Sequence, residues 1–260
     1  MTKRLKIVKI GGNIINSETA LNRFLKDFSA LENPKILVHG GGRKATEVSK
    51  TLGVNSLMHN GRRITDAPSL EVTVMVYAGL INKKIVAALQ ALQSNALGVS
   101  GADANLIQSR KRPVKEVDFG FVGDVEQVNA QMILKLLEAG LVPVFSAITH
   151  DGKGQLLNTN ADTIAAELAV ALAEKTAVEL IYIFEKDGVL KNVQQNEVIE
   201  QLDWETYQSL KQQKVILDGM IPKLDNCFYA LQNGVKKVVI GGEKLLSDSG
   251  QKYTQVVLDE

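Results

Sequence analysis

The stretch "IVKIGGNIINSE", residues 7–18, joins a short β-branched run to two glycines and then to a polar, helix-like segment. A strand that runs through glycine into a helix opens many α/β nucleotide-binding folds. The stretch lacks both the G-x-G-x-x-G pattern of a dinucleotide site and the G-x-x-x-x-G-K-[ST] pattern of a P-loop. Two interpretations remain: a tight turn, slightly favoured for this stretch alone, or a turn whose amides approach an anion beside Lys9.

The same strand–turn–helix order recurs along the chain. Apolar runs predict strands at 5–10, 35–40, 95–101, 141–147, 179–186 and 235–242, and helical periodicity predicts helices near 17–31, 43–52, 68–93, 129–139, 160–175, 203–213 and 219–233. This alternation predicts an α/β fold with an open, mainly parallel sheet between two layers of helices. Ligands of such sheets bind at the carboxyl ends of strands, so the turns that follow strands are the candidate sites.

Two regions differ from this pattern. Residues 108–128 mix charges with aromatic side chains, which suits a small β-hairpin inserted in the sheet domain. A second lobe is compatible with the chain after about residue 149, although composition marks no linker there.

Bulk composition excludes several classes of function. The 260 residues are 45% hydrophobic and 23% charged, with a formal net charge of +1, so charge gives no argument for nucleic acid or an anionic membrane. The single Cys227 excludes an intramolecular disulfide and a multi-cysteine metal site. No signal peptide and no run of about 18 apolar residues is evident, so we expect a cytoplasmic protein without a membrane span.

The strongest local signal is "VHGGGRKATEV", residues 38–48, in which three glycines join a strand to a helix. A structural turn rarely needs three glycines, so an anion-binding loop at the helix N-terminus is favoured over a close-packing turn. His39 lies within the preceding strand, which favours a structural role over that of a base.

Three further stretches hold polar residues that turns alone explain only in part. In "HNGRRITD" (59–66), Arg62 and Arg63 follow a turn signal and suit either a carboxylate site or a solvated hairpin tip. In "LLNTNADTIAAELA" (156–169), helix capping explains only two of Asn158, Asn160 and Asp162. In "ILDGMIPKLDN" (216–226), Lys223 lies about one turn into a helix, where a surface lysine is the ordinary interpretation.

Taken in order, these blocks resemble the amino acid kinase family over essentially the whole chain. The matching blocks are "KIGGN", "VHGGGR", "NGRRIT", "GADANLI", "GFVGDVEQVN", "LNTNAD" and "DGMIPK". "NGRRIT" and "NTNAD" are similar to the branch that phosphorylates an N-acylglutamate in arginine biosynthesis. The resemblance implies a single domain with an acylglutamate-binding lobe (about 1–149) and a nucleotide-binding lobe (about 150–260).

The resemblance also implies roles for particular residues. Lys9 and Lys223 would neutralise the phosphoryl group in transfer, and Asp162 would organise both ammonium groups. The expected substrate-binding residues are Gly41, Gly42, Arg63 and Asn158, and the expected backbone donors to phosphate are Gly11 and Gly12. The expected nucleotide-binding residues are Glu185, Lys186, Asp187, Gly188, Val189, Leu190, Val215, Ile216 and Leu217. ATP would be the co-substrate, with Mg²⁺ held through phosphates and water and no metal site built from side chains.

The sequence departs from the family pattern at three places. Glu185 and Lys186 replace an aspartate and an apolar residue, which puts nucleotide contacts in question. Ala102 stands where lysine is common, and "SLMHN" (56–60) lacks the usual lysines. These two border the substrate, so N-acetyl is the default acyl group and N-succinyl the alternative.

The first strand starts near residue 5, without the N-terminal helix of arginine-inhibited hexamers, so a homodimer without arginine control is expected.

The chemistry of a carboxylate acceptor agrees with these residues. A γ-carboxylate, with a reference pKa of about 4.3, is ionised at neutral pH and needs no general base. It needs relief from repulsion by the γ-phosphate, which lysines, helix N-termini and Mg²⁺ supply. Sibling kinases of the same family, a non-catalytic ligand sensor on the same fold and, least favoured, a dinucleotide oxidoreductase are the competing hypotheses.

Overall fold

A computed structural model describes residues 4–32, 34–59, 61–192, 196–216 and 219–259. Its strands are β1 (Leu5–Ile10), β2 (Lys35–His39), β3 (Leu57–His59), β4 (Arg62–Ile64), β5 (Ala96–Val99), β6 (Ile107–Lys111), β7 (Gly123–Val128), β8 (Val142–Ser146), β9 (Ile148–His150), β10 (Leu156–Asn158), β11 (Val178–Ile183), β12 (Leu190–Asn192), β13 (Glu197–Val198), β14 (Gln201–Leu202), β15 (Lys237–Gly241) and β16 (Tyr253–Val256).

The α-helices alternate with these strands. They are α1 (Gly12–Asn16), α2 (Glu18–Ala30), α3 (Gly42–Thr51), α4 (Ala67–Val74), α5 (Asn82–Ala91), α6 (Ala130–Glu138), α7 (Ala161–Ala173), α8 (Trp204–Gln212) and α9 (Ile221–Gln232). A π-helical segment, Met75–Ile81, joins α4 to α5, and a 3₁₀ turn covers Asp103–Asn105.

An eight-stranded sheet with the order β14-β16-β15-β11-β1-β2-β8-β5 forms the centre of the fold. Its strands pair in parallel except for β16 against β15. The central strands are apolar and buried on both faces because α6, α7 and α9 cover one side and α2 and α5 the other. The predicted α/β class, parallel sheet and helix layers are confirmed, and the sheet draws strands from both halves of the chain.

A second sheet was not predicted in full. Residues 107–128 form the expected antiparallel hairpin, β6 with β7, but this hairpin joins β9 and β10 in a separate four-stranded sheet. Strands β9 and β10 are three residues each, too short to give an alternation signal in the sequence. The same reason explains why the hairpin β12–β13 was missed, whereas the hairpin β3–β4 forms at the turn signal that suggested one.

Residues 67–91 form one long helical stretch with a π-helical middle. Asp66 caps it by accepting from the Ser69 N–H at 2.9 Å, and Pro68 lies in its first turn as predicted. The stretch is long and apolar enough to span a membrane by those two criteria alone, contrary to the expectation from the sequence. A core helix passes the same test, and Val72 and Ile85 lie buried in the core, so the stretch is no argument for a membrane span.

Candidate active site

Three charged side chains from three distant elements meet at the carboxyl edge of the central sheet. Lys9 lies on β1, Asp162 in the first turn of α7 and Lys223 in the first turn of α9. The Lys9 Nζ is 2.6 Å from one Asp162 carboxylate oxygen, and the Lys223 Nζ donates to the other at 2.9 Å. All three side chains are at most 18% exposed. The structure therefore brings together the three residues predicted to carry the chemistry.

Local capping explains why Asp162 is available to both lysines. Asn160 is the N-cap of α7, and its side-chain oxygen accepts from the N–H of Asp162 at 2.7 Å and of Thr163 at 3.1 Å. Capping thus occupies Asn160 and leaves the Asp162 carboxylate to the ammonium groups. Pro222 lies in the first turn of α9, where it removes no helical hydrogen bond and its fixed φ favours the start of the helix that carries Lys223.

The electrostatics of this cluster favour an anion. Burial alone would raise the pKa of Asp162, but the ammonium groups of Lys223 and Lys9 outweigh it and hold that pKa well below its usual range. Burial lowers the pKa of Lys9; Asp162 opposes this effect and Lys223 adds to it. With the lysines protonated, two positive charges face one negative charge in a partly dehydrated site, so the cluster attracts a further anion.

The glycine loop after β2 is fixed by close packing. A Cβ atom on Gly41 would lie 2.4 Å from the Ile81 Cδ1 and 3.0 Å from the Tyr77 ring, so this position has no room for a side chain. Gly41 is the N-cap of α3 and Gly42 its first residue, which places the loop at a helix N-terminus. The strand–glycine–helix arrangement expected at Gly41 and Gly42 is present, and its binding of an anion stays a prediction.

A buried polar network anchors this loop from behind. The His39 Nδ1 lies 2.9 Å from the Gly40 carbonyl oxygen, so it carries the proton, and the Nε2 accepts from the Asn82 side chain at 3.1 Å. The same Asn82 amide donates to the Val144 carbonyl at 2.9 Å. Burial, with a smaller contribution from Lys83, lowers the pKa of His39 to about 4 despite its bond to the Gly40 carbonyl. His39 is thus a neutral structural residue, as its place in the strand predicts.

The two backbone donors predicted near Lys9 differ in availability. The Gly11 N–H already donates to the Ile183 carbonyl at 2.9 Å, so it links β1 to β11 and is not free for a phosphate. Gly12 begins α1, and a Cβ there would meet nothing closer than the Asn16 amide at 4.0 Å. Of the pair, Gly12 has the open surroundings that a ligand requires.

Arg63 contacts the glycine loop, and Asn158 contacts the segment that follows β4. The Arg63 guanidinium donates to the Gly42 carbonyl at 3.0 Å and to the hydroxyls of Thr46 and Ser56, each at 2.7 Å. Asn158 donates to the Thr65 hydroxyl at 3.0 Å, which ties β10 to the segment after β4. The hairpin interpretation of "HNGRRITD" is confirmed, although Arg63 is only 8% exposed and is therefore not part of a solvated tip; its role toward a carboxylate stays a prediction.

A cavity of about 1080 Å³ opens beside the start of α9. Its lining includes Ile221 and Pro222, which directly precede Lys223. The charged side chains of its lining are Arg62, Arg110, Arg112, Lys115, Glu116 and Asp124. Arg112 pairs with Asp124 at 2.6 Å and Arg110 with Glu126 at 3.8 Å, so Arg62 and Lys115 against Glu116 leave a small cationic surplus.

The expected nucleotide segment follows β11 directly. Glu185 accepts from the Asn13 amide, which links this segment to α1. The Val189 N–H donates to the Thr254 hydroxyl at 2.7 Å, and a Cβ on Gly188 would lie 2.6 Å from that oxygen, so Gly188 is required sterically.

The other residues of the expected nucleotide set are spread over three positions. Lys186 and Asp187 lie beside Gly242, and Leu190 begins β12. Val215 and Ile216 pack on the core between α8 and α9. Leu217 lies outside the described residues.

Two aromatic residues at the centre were missed by the sequence analysis. The Lys223 Nζ lies over the Tyr182 ring, 5.3 Å from its centroid, and 5.9 Å from the centroid of Phe184. The Tyr182 hydroxyl donates to the main-chain oxygen of Asp162 at 2.9 Å. Tyr182 lies opposite Lys9 in the pairing of β11 with β1. Tyr182 could have been found from the sequence only if that strand pairing had been known.

No cluster of three or more histidine, cysteine or acidic side chains suited to a metal occurs in the described part of the chain. At the centre, both oxygens of Asp162 already contact ammonium groups. A divalent cation would therefore have to be held mainly by ligands that arrive with the substrate, which is how Mg²⁺ commonly binds beside phosphates.

Comparison with known proteins places the chain in a family. The sequence profile of the amino acid kinase family matches residues 4–242, so the chain belongs to the amino acid kinase family. Curated relatives named acetylglutamate kinase include those of Phocaeicola vulgatus, 55% identical over 92% of this chain and 94% of the relative, and Bacteroides thetaiotaomicron, 51% identical over 96% and 97%. Identity at this level to kinases over nearly the whole length identifies the chain as a phosphotransferase.

Solved structures agree on the fold. N-acetylglutamate synthase from Neisseria gonorrhoeae, solved with coenzyme A and N-acetyl-glutamate, superposes with a TM-score of 0.84 at 20% identity. The match covers 99% of this chain, which spans 60% of the length of that synthase. Carbamate kinase from Giardia matches all of this chain and all of its own length, with a TM-score of 0.71 at 12% identity. At these identities the likeness concerns the fold alone.

Proposed function

We propose that the chain transfers the γ-phosphoryl group of ATP to the γ-carboxylate of an N-acyl-L-glutamate, giving the acylglutamyl 5-phosphate and ADP. The observation that carries the proposal is the pair of ammonium groups, Lys9 and Lys223, held on one carboxylate at the carboxyl edge of the sheet. Relatives at 51–55% identity that are named acetylglutamate kinase support this acceptor and a role in arginine biosynthesis, which we place in the cytoplasm.

The proposed reaction needs charge neutralisation and no base. A carboxylate oxygen attacks the γ-phosphorus while the bond to the β-phosphate oxygen breaks, and the electron pair leaves with ADP. The acceptor is already ionised, so no proton is removed. His39, the buried imidazole near the loop, is fixed by two hydrogen bonds and is no candidate base. Lys9 and Lys223 would offset the charge that gathers on the phosphoryl oxygens.

The surrounding groups suit the two substrates. Gly41, Gly42, Arg63 and Asn158 would hold the acylglutamate, with Arg63 acting partly through its bond to the Gly42 carbonyl. Gly12 would donate to the phosphoryl group. We assign the acylglutamate to the lobe of residues 1–149 and ATP to the lobe of residues 150–260, at the segments 185–190 and 215–217. Mg²⁺ would enter with ATP through phosphates and water.

The acyl group is the open part of the proposal. N-acetyl remains the default, since it is the group in the names of the relatives. The cationic cavity beside α9 is the observation that favours N-succinyl, because a succinyl group carries a second carboxylate that arginine recognises well. The relative kcat/KM for the two acylglutamates decides between them.

We further propose a homodimer formed by helix 67–91 and the edge strand β5. Met75, Leu80 and Leu97 are 53%, 39% and 36% exposed on these two elements. The elements adjoin, because the Lys83 Nζ donates to the Gly98 carbonyl at 3.2 Å. Sedimentation should give a dimer for the wild type and a monomer for Leu80→Asp; a wild-type monomer at micromolar concentration would overturn the dimer.

The test of the proposed reaction is to trap the acyl phosphate with hydroxylamine in the presence of ATP and Mg²⁺. The acceptor panel is N-acetylglutamate, N-succinylglutamate, glutamate and aspartate. Hydroxamate should form with an acylglutamate and not with the free amino acids. Hydroxamate with glutamate or aspartate alone would indicate a sibling kinase. No hydroxamate with any acceptor, together with tight acylglutamate binding, would indicate a sensor.

A further inference from the structure

Two aromatic rings flank the ammonium group of Lys223. Its Nζ lies 5.3 Å from the centroid of Tyr182 and 5.9 Å from that of Phe184. Its one hydrogen bond to an oxygen of the described residues is to Asp162. Because an ammonium group has three N–H donors, two remain for the oxygens of a ligand.

The two rings stabilise the buried charge of Lys223 without occupying its N–H donors, which oxygen atoms would do. Lys223 is only 9% exposed, so its charge has lost most of its water. An aromatic face attracts a cation through its quadrupole without accepting a conventional hydrogen bond. A second carboxylate in place of the rings would occupy the remaining donors and cancel the positive surplus that attracts an anion.

Tyr182 contacts the cluster at a second point. Its hydroxyl donates to the main-chain oxygen of Asp162 at 2.9 Å, at the start of α7. It also pairs with Lys9 in the register of β11 and β1. Burial, reinforced by Cys227 and Asp162, raises the pKa of Tyr182 well above its ordinary value, so the hydroxyl stays a donor.

The backbone holds Phe184 at its position. Phe184 is the first residue after β11, and its N–H donates to the Gly241 carbonyl at 3.0 Å. Its Cβ lies 3.5 Å from the position that a Cβ on Gly11 would take, so Phe184 adjoins the turn that follows Lys9.

We propose that Tyr182 and Phe184 are positioning residues that hold the Lys223 ammonium group in line with Asp162 while leaving its N–H donors free for the transferred phosphoryl group. The inference rests on the phosphoryl transfer proposed above. It assigns to two strand residues a role that acts through Lys223.

The first test separates the rings from the hydroxyl by kinetics. Tyr182→Leu and Phe184→Leu should each lower kcat about 3- to 30-fold, the effect of a desolvated cation–π contact, with KM within about twofold. Tyr182→Phe should lose less than Tyr182→Leu, and Phe184→Tyr should retain the wild-type kcat. Rates are expressed per folded active site, from the stoichiometry of ATP binding.

Phe28→Leu is the matched control. Phe28 is fully buried in α2, and the Lys35 Nζ lies 5.3 Å from its ring centroid, so the substitution removes a similar contact away from the site. It should lower the melting temperature and leave kcat per folded site within about twofold. A kcat loss in Phe28→Leu equal to that of the site variants would overturn the proposal.

A double-mutant cycle tests whether the rings act through Lys223. In the Lys223→Ala background, Phe184→Leu should have no further effect on kcat, and Tyr182→Leu should lose no more than Tyr182→Phe does there, because only the hydroxyl bond to Asp162 remains to be lost once the ammonium group is gone. The same fold-loss in both backgrounds, or an unchanged kcat in both single variants, would overturn the proposal.

A readout independent of activity separates this inference from the proposed reaction. In protein carrying lysine labelled with ¹³C at Cε, the Hε signals of Lys223, assigned by their loss in Lys223→Ala, should be shifted upfield by the rings. The shift should shrink in either leucine variant and persist in Phe28→Leu. Ordinary Hε shifts in the wild type would refute the positioning even if hydroxamate forms; shifted signals without hydroxamate would refute only the reaction.

Discussion

Replacing Asp162 by asparagine perturbs the candidate site at its centre. The substitution keeps the shape of the side chain but removes the one negative charge between Lys9 and Lys223, which contact it at 2.6 and 2.9 Å. Two partly buried ammonium groups would then face each other without compensation. Their mutual repulsion would force one to lose its proton or to turn away.

The magnitude follows from the burial of the cluster. Removing one partner of a buried ion pair costs roughly 3–5 kcal/mol, and the slight exposure of Asp162 places the loss of unfolding free energy near the lower limit, about 3 kcal/mol. The kcat should fall by about 100- to 1000-fold, the usual effect of losing one preorganised electrostatic group. Because the folded-state pKa of Asp162 is lowered, its contribution to stability is present above about pH 4 and is lost as the pH falls further.

Urea unfolding between pH 2.5 and 7 and the hydroxamate assay at pH 7 measure these effects. The stability difference between wild type and Asp162→Asn should be constant above about pH 5 and shrink below about pH 4. The control is Glu179→Gln, since Glu179 pairs with Lys237 at 2.9 Å on the same sheet outside the cluster and should cost about 1 kcal/mol without lowering kcat. A kcat of Asp162→Asn within threefold of wild type would refute the reasoning.

Three further predictions concern the glycine loop and its anchor. Gly41→Ala should lower the unfolding free energy, measured by urea unfolding, by about 1–3 kcal/mol, because the new Cβ would lie 2.4 Å from Ile81. In the same measurement Gly79→Ala, whose Cβ would meet nothing within 4 Å, should be neutral or slightly stabilising. Asn82→Leu should cost about 2–4 kcal/mol in the same measurement, since it leaves two buried acceptors without a donor. The folded-state pKa of His39 is lowered to about 4, so the unfolding free energy should fall by about 3 kcal/mol as the pH drops from 6.5 to 4, because only the unfolded chain takes up the proton in that range. Urea titrations across this range should show the fall in the wild type and not in His39→Gln.

The central sheet could be predicted because its signals are local. Each strand of the core is an apolar run followed by a glycine turn or a polar segment, as at "LKIVKIGG", and periodicity alone identifies such elements. Gly53 and Gly140 mark helix ends for the same local reason, with φ of +72° and +76° in the structure. The short strands of the second sheet carry too few residues for any period to appear.

The site could be predicted only in part because its contacts are long-range. Motifs pointed to Lys9, Asp162 and Lys223, but nothing in the residues themselves fixed their distances, which depend on sheet order and on the entry of α7 and α9. The roles of Tyr182 and Phe184 depend on which strand lies beside β1. That neighbour, β11, is about 170 residues away along the chain.

The most direct test of the central claim compares wild type with Lys223→Ala in the hydroxylamine assay, with saturating ATP and Mg²⁺ and varied N-acetylglutamate and N-succinylglutamate. If Lys223 stabilises the phosphoryl group in transfer, the wild type forms hydroxamate, and kcat in the variant falls at least about 100-fold with KM changed by no more than a few fold. An absence of hydroxamate in the wild type with both acylglutamates, or a variant that keeps the wild-type kcat, would contradict the account.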